Sequence, residues 1–280
     1  LIVPGWPFHS PLFPRGVFPC SEGGQTVNLW STGLLATAAQ SGIAAWFEQM
    51  KMEFTLNFIM KDRWKLLLTG LKNTLLIALF ACLIGIVLGL LVAAVRTTWD
   101  KNSHAMSGPG KFLLRVVNWF CKVYLTVIRG TPVLVQLMIW YFVVFASSRN
   151  GLMIAAFAFG INSGAYVAEI IRSGIMAVDA GQMEAGRSLG FGYVATMRHI
   201  ILPQAFKAVL PALANEFIVL LKETSVASFV SVADLTYAGN IIGGNSYDYL
   251  FPLLMTAMIY LALVMFFTHL VGKLERRLRN

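Results

Sequence analysis

Along this chain, long apolar blocks alternate with short polar stretches, and the blocks are longer than strands or ordinary core helices. Five reach the length needed to cross about 30 Å of hydrocarbon at about 1.5 Å per residue. They are 67–95 (LLTGLKNTLLIALFACLIGIVLGLLVAAV), about 116–146 (ending QLMIWYFVVFA), about 151–176 (GLMIAAFAFGINSGAYVAEIIRSGIM), about 206–230 (through PALANEFIVLL) and 250–271 (LFPLLMTAMIYLALVMFFTHLV). Blocks two to four hold polar residues, which a helix bundle tolerates in its interior when they are paired. The pattern predicts an all-α integral membrane protein with five transmembrane helices.

Between the third and fourth blocks lies a polar interruption, EAGRSLGFGYVATMRHIILPQA (184–205). It reads as two short helices, 182–189 and 193–200, stopped between them by Gly190, which lacks a Cβ and can turn the chain left-handed. Leu202-Pro203 then opens the next span, proline being tolerated in a first helical turn. Such a knuckle cannot bury a core of its own. It suits a rigid docking element or, equally, an ordinary solvated loop.

Residues 1–51 break the pattern. LIVPGWPFHSPLFPRGVFPC is rich in proline and aromatics and has no helical period, and 27–47 carries too many Thr, Ser, Gln, Asn and Gly residues to make a good span. MKMEFTLNF, from Met50, resembles an ordinary protein start. The expectation is an atypical extension over 1–51, non-functional or disordered, followed by a transmembrane domain over 52–280 with its polar loop at 180–203. Deleting 1–49 is then expected to leave membrane assembly and transport intact.

Composition agrees with the pattern: 57% of residues are hydrophobic and 12% charged, against about 25% charged in soluble domains. A net charge of +9 suggests nucleic acid in a soluble protein. Here the basic residues sit in short loops and set topology instead, so no nucleic-acid partner is expected. Three segments are rich in them: Arg96, Lys101, Lys111, Arg115 and Lys122; then Arg172, Arg187, Arg198 and Lys207; then Lys273, Arg276, Arg277 and Arg279. The 147–150 turn holds only Arg149 and the 231–249 loop none, while Arg15, Lys51, Lys61, Arg63 and Lys65 precede the first span. The balance places the N-terminus outside, the C-terminus in the cytoplasm, and the polar knuckle in the cytoplasm.

Polar side chains at membrane depth are costly and mark candidate pathways. Asn162, Tyr166 and Glu169 share one helical face of the third span. An amide, a phenol and a carboxylate suit a zwitterion; the alternative for Glu169 is an inter-helix clasp involving Arg172. Lys222, Thr224 and Ser225 fall near the outer end of the fourth span, as a gate or as a lysine reaching the interface. Arg129-Gly130-Thr131-Pro132 interrupts the second span, since Pro132 removes a backbone donor; it reads as a hinge, a pathway lining or a packed kink. Gly85-x-x-x-Gly89 is a small-residue packing signal for either a dimer or an intrachain contact. The outer-loop residues Tyr237, Asn240, Asn245 and Tyr247 are weak candidates for touching a delivery protein. His9, His104, His199 and His269, and Cys20, Cys82 and Cys121, show no ligand spacing, so no metal site is expected.

Glu184-Ala185-Gly186, Gly190 and Ile200-x-Leu202-Pro203 together resemble the E-A-A-x3-G-x9-I-x-L-P signature of ABC importer permeases, with Gly186 where alanine is usual. IRGTPVLVQL (128–137), SGAYVAEIIRSGI (163–175), GQMEAGRSLGFG (181–192) and LLKETSVASFV (220–230) look like the polar amino acid uptake branch, and the resemblance runs over about 54–279. It implies a type I importer permease (MetI-like) fold in a bacterial cell membrane. It implies that Glu184, Ala185, Gly186 and Gly190 form the contact core of coupling helices seated in a cytoplasmic ATP-binding cassette subunit. Two such subunits, a second permease subunit, identical or related, and an extracytoplasmic solute-binding protein would complete the transporter, with a polar amino acid as cargo. The chain has no G-x-x-x-x-G-K-[ST] phosphate loop, so it is expected to bind no cofactor and not to be an enzyme, ATP and Mg²⁺ residing on the partner subunit. An ion-coupled secondary transporter is the alternative; it predicts internal inverted repeats, and none is evident among the five blocks. A membrane-embedded enzyme lacks a nucleophile-base pair.

Overall fold

The computed structural model describes residues 34–103, 106–148 and 150–279, which form helices and connecting turns. The chain divides into Leu1–Met50 and Lys51–Asn280. In the first unit the described part belongs to helix α1, Leu34–Phe54. The extension expected over 1–51 is therefore helical from Leu34 onward, and residues 1–33 lie outside the described residues. Helix α1 is not among the described helices long and apolar enough to cross a membrane.

The second unit runs through α2 (Trp64–Asn102), α3 (Pro109–Gly130) and α4 (Val133–Ile139), the last widening into a π-turn at Trp140–Val144. Helix α5 (Gly151–Met176) follows, then the hairpin of α6 (Ala180–Ser188) and α7 (Tyr193–Thr196). Helix α8 (Leu202–Glu223) tightens into a 3₁₀ turn at Thr224–Val230, and α9 (Leu235–Ser246) and α10 (Leu250–Arg279) complete the chain. Several starts are set by side-chain caps. Asn150 accepts from the Met153 N–H at 3.2 Å to open α5. Asp179 accepts from Gly181 N–H to open α6, and Asp234 accepts from the Thr236 and Tyr237 N–H groups to open α9. Burial pushes the Asp234 carboxyl above the usual carboxylate range, against the opposing pull of those backbone bonds.

Helix α5 is the centre of the bundle, buried along most of its length from Ile154 to Ile175. Lipid supplies no hydrophobic drive between helices, so close packing has to hold them, and here glycine provides it. A Cβ at Gly85 of α2 would lie 3.0 Å from Ser163 Oγ, and one at Gly164 of α5 would lie 3.0 Å from Leu88 Cβ and 2.9 Å from the Tyr124 hydroxyl. Gly89 faces Val167 and Gly160 faces Ile84 in the same way. The Gly85-x-x-x-Gly89 signal thus serves an intrachain contact between α2 and α5.

These contacts also fix direction. Residues 84, 85 and 89 of α2 meet 160, 163 and 167 of α5 in ascending order, so the two helices run parallel. The chain between them must return across the bundle, and among the described residues the α3–α4 pair, bent by 109° at its break, is the stretch long and apolar enough to do so. That makes the fifth crossing beside the four straight ones, α2, α5, the Tyr193–Val230 stretch and α10. Helix α8 is antiparallel to α5, with Val209 against Gly174 and Glu216 against Ser163. Helix α10 is antiparallel to α8, with Phe217 on Phe267 and Lys207 beside Glu275 and Arg276. The C-terminal end of α2, the α6–α7 hairpin and the basic end of α10 therefore share one side of the bundle.

Candidate functional site

The hairpin is a small rigid body. Gly190 takes φ +87°, the left-handed turn expected of it. The α6 end is closed by N–H groups of Leu189, Gly190 and Phe191 donating to the carbonyls of Ala185, Arg187 and Gly186. Thr196 is fully buried against α6. A Cβ on Gly186 would come within 2.5 Å of Thr196 Cγ2 and 3.1 Å of Ile200 Cδ1. Gly186 therefore faces inward, into its own hairpin. Its close approach is intramolecular, and it is the glycine that admits Thr196. Glu184, Ala185 and Gly190 remain on the exposed side. Beside them Leu189 is 77% and Val194 75% exposed, with Phe191 also open. The result is an apolar tip flanked by Glu184 and Arg187 on an otherwise polar knuckle.

The span interior holds a second set of polar groups. At the α3–α4 break, Gln136 is 7% exposed and its Nε2 donates to the carbonyls of Ile128 and Thr131 and to Thr131 Oγ1, at 2.8, 3.1 and 2.8 Å. Asn162 of α5 is 3% exposed and donates to Gln136 Oε1 at 3.0 Å. Gln136 thus gives the interrupted backbone its missing partners, and Asn162 anchors Gln136. Asn162 is a clasp in this structure. Arg129, Gly130, Thr131 and Pro132 lie exposed on the other side of the same break, with the Arg129 guanidinium over the Tyr166 ring at 5.6 Å.

Glu169 pairs with Arg172 of its own helix, and the link between helices is made by Arg172 rather than by Glu169. Its Oε1 accepts two N–H groups of Arg172, and Arg172 also pairs with Asp100 of α2 at 3.2 Å. Glu169 still lines an open recess of about 490 Å³ with Arg96, Lys122, Leu125, Thr126, Arg129 and Gly130. Tyr166 is exposed nearby. Ser163 of α5 donates to Glu216 of α8 at 2.9 Å, while Asn215 and Lys222 of α8 are exposed seven residues apart on one face. Thr224 is buried and spends its hydroxyl on the Leu221 carbonyl; Ser225 donates to the Lys222 carbonyl. Both are occupied with local helix bonds, unlike Lys222.

The family model for the binding-protein-dependent transport system inner membrane component matches residues 85–280. The chain belongs to this family. The permease is 35% identical over 217 residues to the arginine transport system permease protein ArtQ of Bacillus subtilis, covering 76% of this chain and 93% of the relative. It is 36% identical to a putative glutamine transport system permease protein, GlnP, of Rickettsia conorii, covering 75% and 91%. Among solved structures, a chain from "an amino acid ABC transporter with histidines" matches at a TM-score of 0.69 and 40% identity, over 78% of this permease and 96% of that chain. The inward-facing MetNI methionine ABC transporter matches at a TM-score of 0.63 over 78% and 98%, and at 19% identity it carries the fold alone. The permease has the all-helical, type I importer fold.

Two residues with clear duties in the permease escaped sequence reading. Gln136 stands inside an apolar run as a lone amide four positions after Pro132, and that combination was the available signal. Asp100 sits in the polar end of α2, and nothing in the local sequence ties it to Arg172, 72 positions away.

Proposed function

We propose that the permease is the membrane-spanning subunit of an ATP-driven amino acid importer, coupled to its motor through the α6–α7 hairpin. The observation that carries this is the hairpin itself: a rigid polar knuckle with an exposed apolar tip of Leu189, Phe191 and Val194, shared in side with the basic inner ends of α2 and α10. An apolar tip in water marks a partner site. The excess of Lys and Arg on that side supports a cytoplasmic location, with the N-terminus outside and the C-terminus inside.

The partner is an ATP-binding cassette subunit, which holds ATP and Mg²⁺; the permease is not itself an enzyme. Glu184, Ala185 and Gly190 present the exposed face of the coupling hairpin, and Gly186 with Thr196 fixes its shape. Two ATP-binding subunits and an extracytoplasmic solute-binding protein complete the importer in a bacterial cell membrane.

A second permease subunit, identical or related, is supported by the α3–α4 break. Irregular backbone at membrane depth is tolerated where it is covered by protein or lines a water-filled cavity, and Gly130, Thr131 and Pro132 are open in the single chain. Tyr166, Asn215 and Lys222 are the further exposed polar positions on the spans that such a pathway would use. A polar amino acid as cargo is supported by relatives named for arginine and glutamine transport. Reconstitution tests the proposal. Vesicles holding the permease alone should show no uptake under an ion gradient and should gain amino acid uptake with the ATP-binding subunit, the binding protein and ATP. Uptake by the permease alone would instead establish an ion-coupled secondary transporter.

A further inference from the structure

The recess beside the α3–α4 break has an unbalanced charge. Its lining brings Arg96 from α2 and Lys122 and Arg129 from α3 together, against a single carboxylate, Glu169. That carboxylate is already engaged by Arg172, which Asp100 neutralises in turn. Arg96 is held by Asn118, whose Oδ1 accepts from Nη1 at 3.2 Å, while Arg96 Nε is buried without a partner. Arg129 lies on the Tyr166 ring, which orients a guanidinium and leaves its N–H groups free to bond in the ring plane. The recess, about 490 Å³ in volume, falls within the roughly 300–1,000 Å³ of small-molecule sites.

We infer that this recess is a selectivity station for an amino acid with an acidic side chain. Arg96, Lys122 and Arg129 receive two carboxylates. Both Arg172 bonds fall on Glu169 Oε1, and Glu169 Oε2 receives the ammonium. A cationic amino acid would bring its side chain among three cations, where like charge at close range is repulsive. A neutral side chain would leave part of the basic lining without a charged partner, and so forgo the stronger charge-assisted bonds. The inference rests on the proposed pathway along the exposed face of the break, and it adds the cargo's charge class.

The test uses the permease co-purified with its ATP-binding subunit in neutral detergent, with binding followed by calorimetry. The probes are L-glutamate, L-glutamine and L-arginine. Glutamate and glutamine share a shape and differ by one charge. Glutamate should bind at least about tenfold more tightly than glutamine, as charge-assisted bonds are about twice as strong as neutral ones, and arginine should bind more weakly still. Arg129→Gln and Lys122→Gln, both at exposed positions, should each lower glutamate affinity by about tenfold and glutamine affinity, which keeps only the α-carboxylate, by clearly less. Equal or tighter binding of glutamine or arginine would overturn the inference. So would displacement of glutamate by inorganic phosphate or by phosphatidylglycerol micelles at matched concentration, which would mark a general anion or lipid headgroup site. ATP-driven uptake of a neutral or cationic amino acid, unaffected by these variants, would refute the charge class while leaving the importer role standing; absence of any amino acid uptake by the complete assembly would refute the role.

Discussion

Replacing Gln136 by leucine tests whether the broken span is held by side-chain chemistry. Leucine keeps the volume and removes every bond the amide makes. The two N–H groups of Gln136 are shared among the Ile128 carbonyl, the Thr131 carbonyl and Thr131 Oγ1, and the amide oxygen accepts from Asn162. Counted as three bonds at about 0.6–1.7 kcal/mol each inside a membrane protein, the loss is about 2–5 kcal/mol. The groups left behind are buried or at a helix end, where an unanswered carbonyl or amide is costly. A double-mutant cycle with Asn162→Leu separates the clasp from the rest. Once Gln136 is gone, Asn162 Nδ2 has lost its partner, so the second substitution should cost less than it does alone, with a coupling energy of about 0.6–1.7 kcal/mol. The assay is equilibrium unfolding in mixed micelles titrated with dodecyl sulfate, read by circular dichroism. Additive costs, or a Gln136→Leu variant within about 0.5 kcal/mol of the parent, would refute the reasoning and leave the 109° bend to be explained by backbone packing alone.

Three further predictions concern the hairpin and the bundle. Gly186→Ala restores the residue usual in the signature, yet it should impair ATP-coupled uptake here by forcing Thr196 and Ile200 aside; Gly186→Ala with Thr196→Ala, which removes the atoms met at 2.5 and 2.9 Å, should regain most of it. Glu184→Lys should abolish uptake while the protein still reaches the membrane in normal amount, measured by transport and immunoblotting of the same vesicles. Gly89→Leu should separate α2 from α5 at Val167 and cost about 1–3 kcal/mol as an overpacked contact, seen as a lower midpoint in the same micelle titration.

Much of the fold was legible because membrane spans are written locally. Block 151–176 coincides with α5 because Asn150 caps one end and the apolar run defines the rest. Gly190 was legible as a left-handed helix stop because a residue without a Cβ takes that turn most readily, although Ser231 and Tyr247 also take positive φ at helix ends here. What the sequence left open were choices among partners far apart in the chain. Gly85 and Gly89 could meet a second chain or α5, and only the ascending order of contacts with Gly160, Ser163 and Val167 decides. Glu169 could face a solute or Arg172; one oxygen now does the second while the side chain still borders the recess. Gly186 looked like a partner contact from the motif, and its burial under Thr196 was invisible because Thr196 lies ten positions on, across the turn. At 129–132 Pro132 left a hinge, a pathway lining and a packed kink open; Gln136 and Asn162 brace the break from one side while residues 129–132 stay exposed on the other.

In the proposed importer the α6–α7 hairpin lies in the cytoplasm, where a separate motor grips it. The most direct test of this placement is a single cysteine at the exposed Ser188, with Cys20, Cys82 and Cys121 replaced by alanine, labelled by a membrane-impermeant maleimide. Labelling is expected in inside-out vesicles, with protection there by the ATP-binding subunit, and none in sealed right-side-out vesicles. Labelling from the outside of intact cells would contradict it.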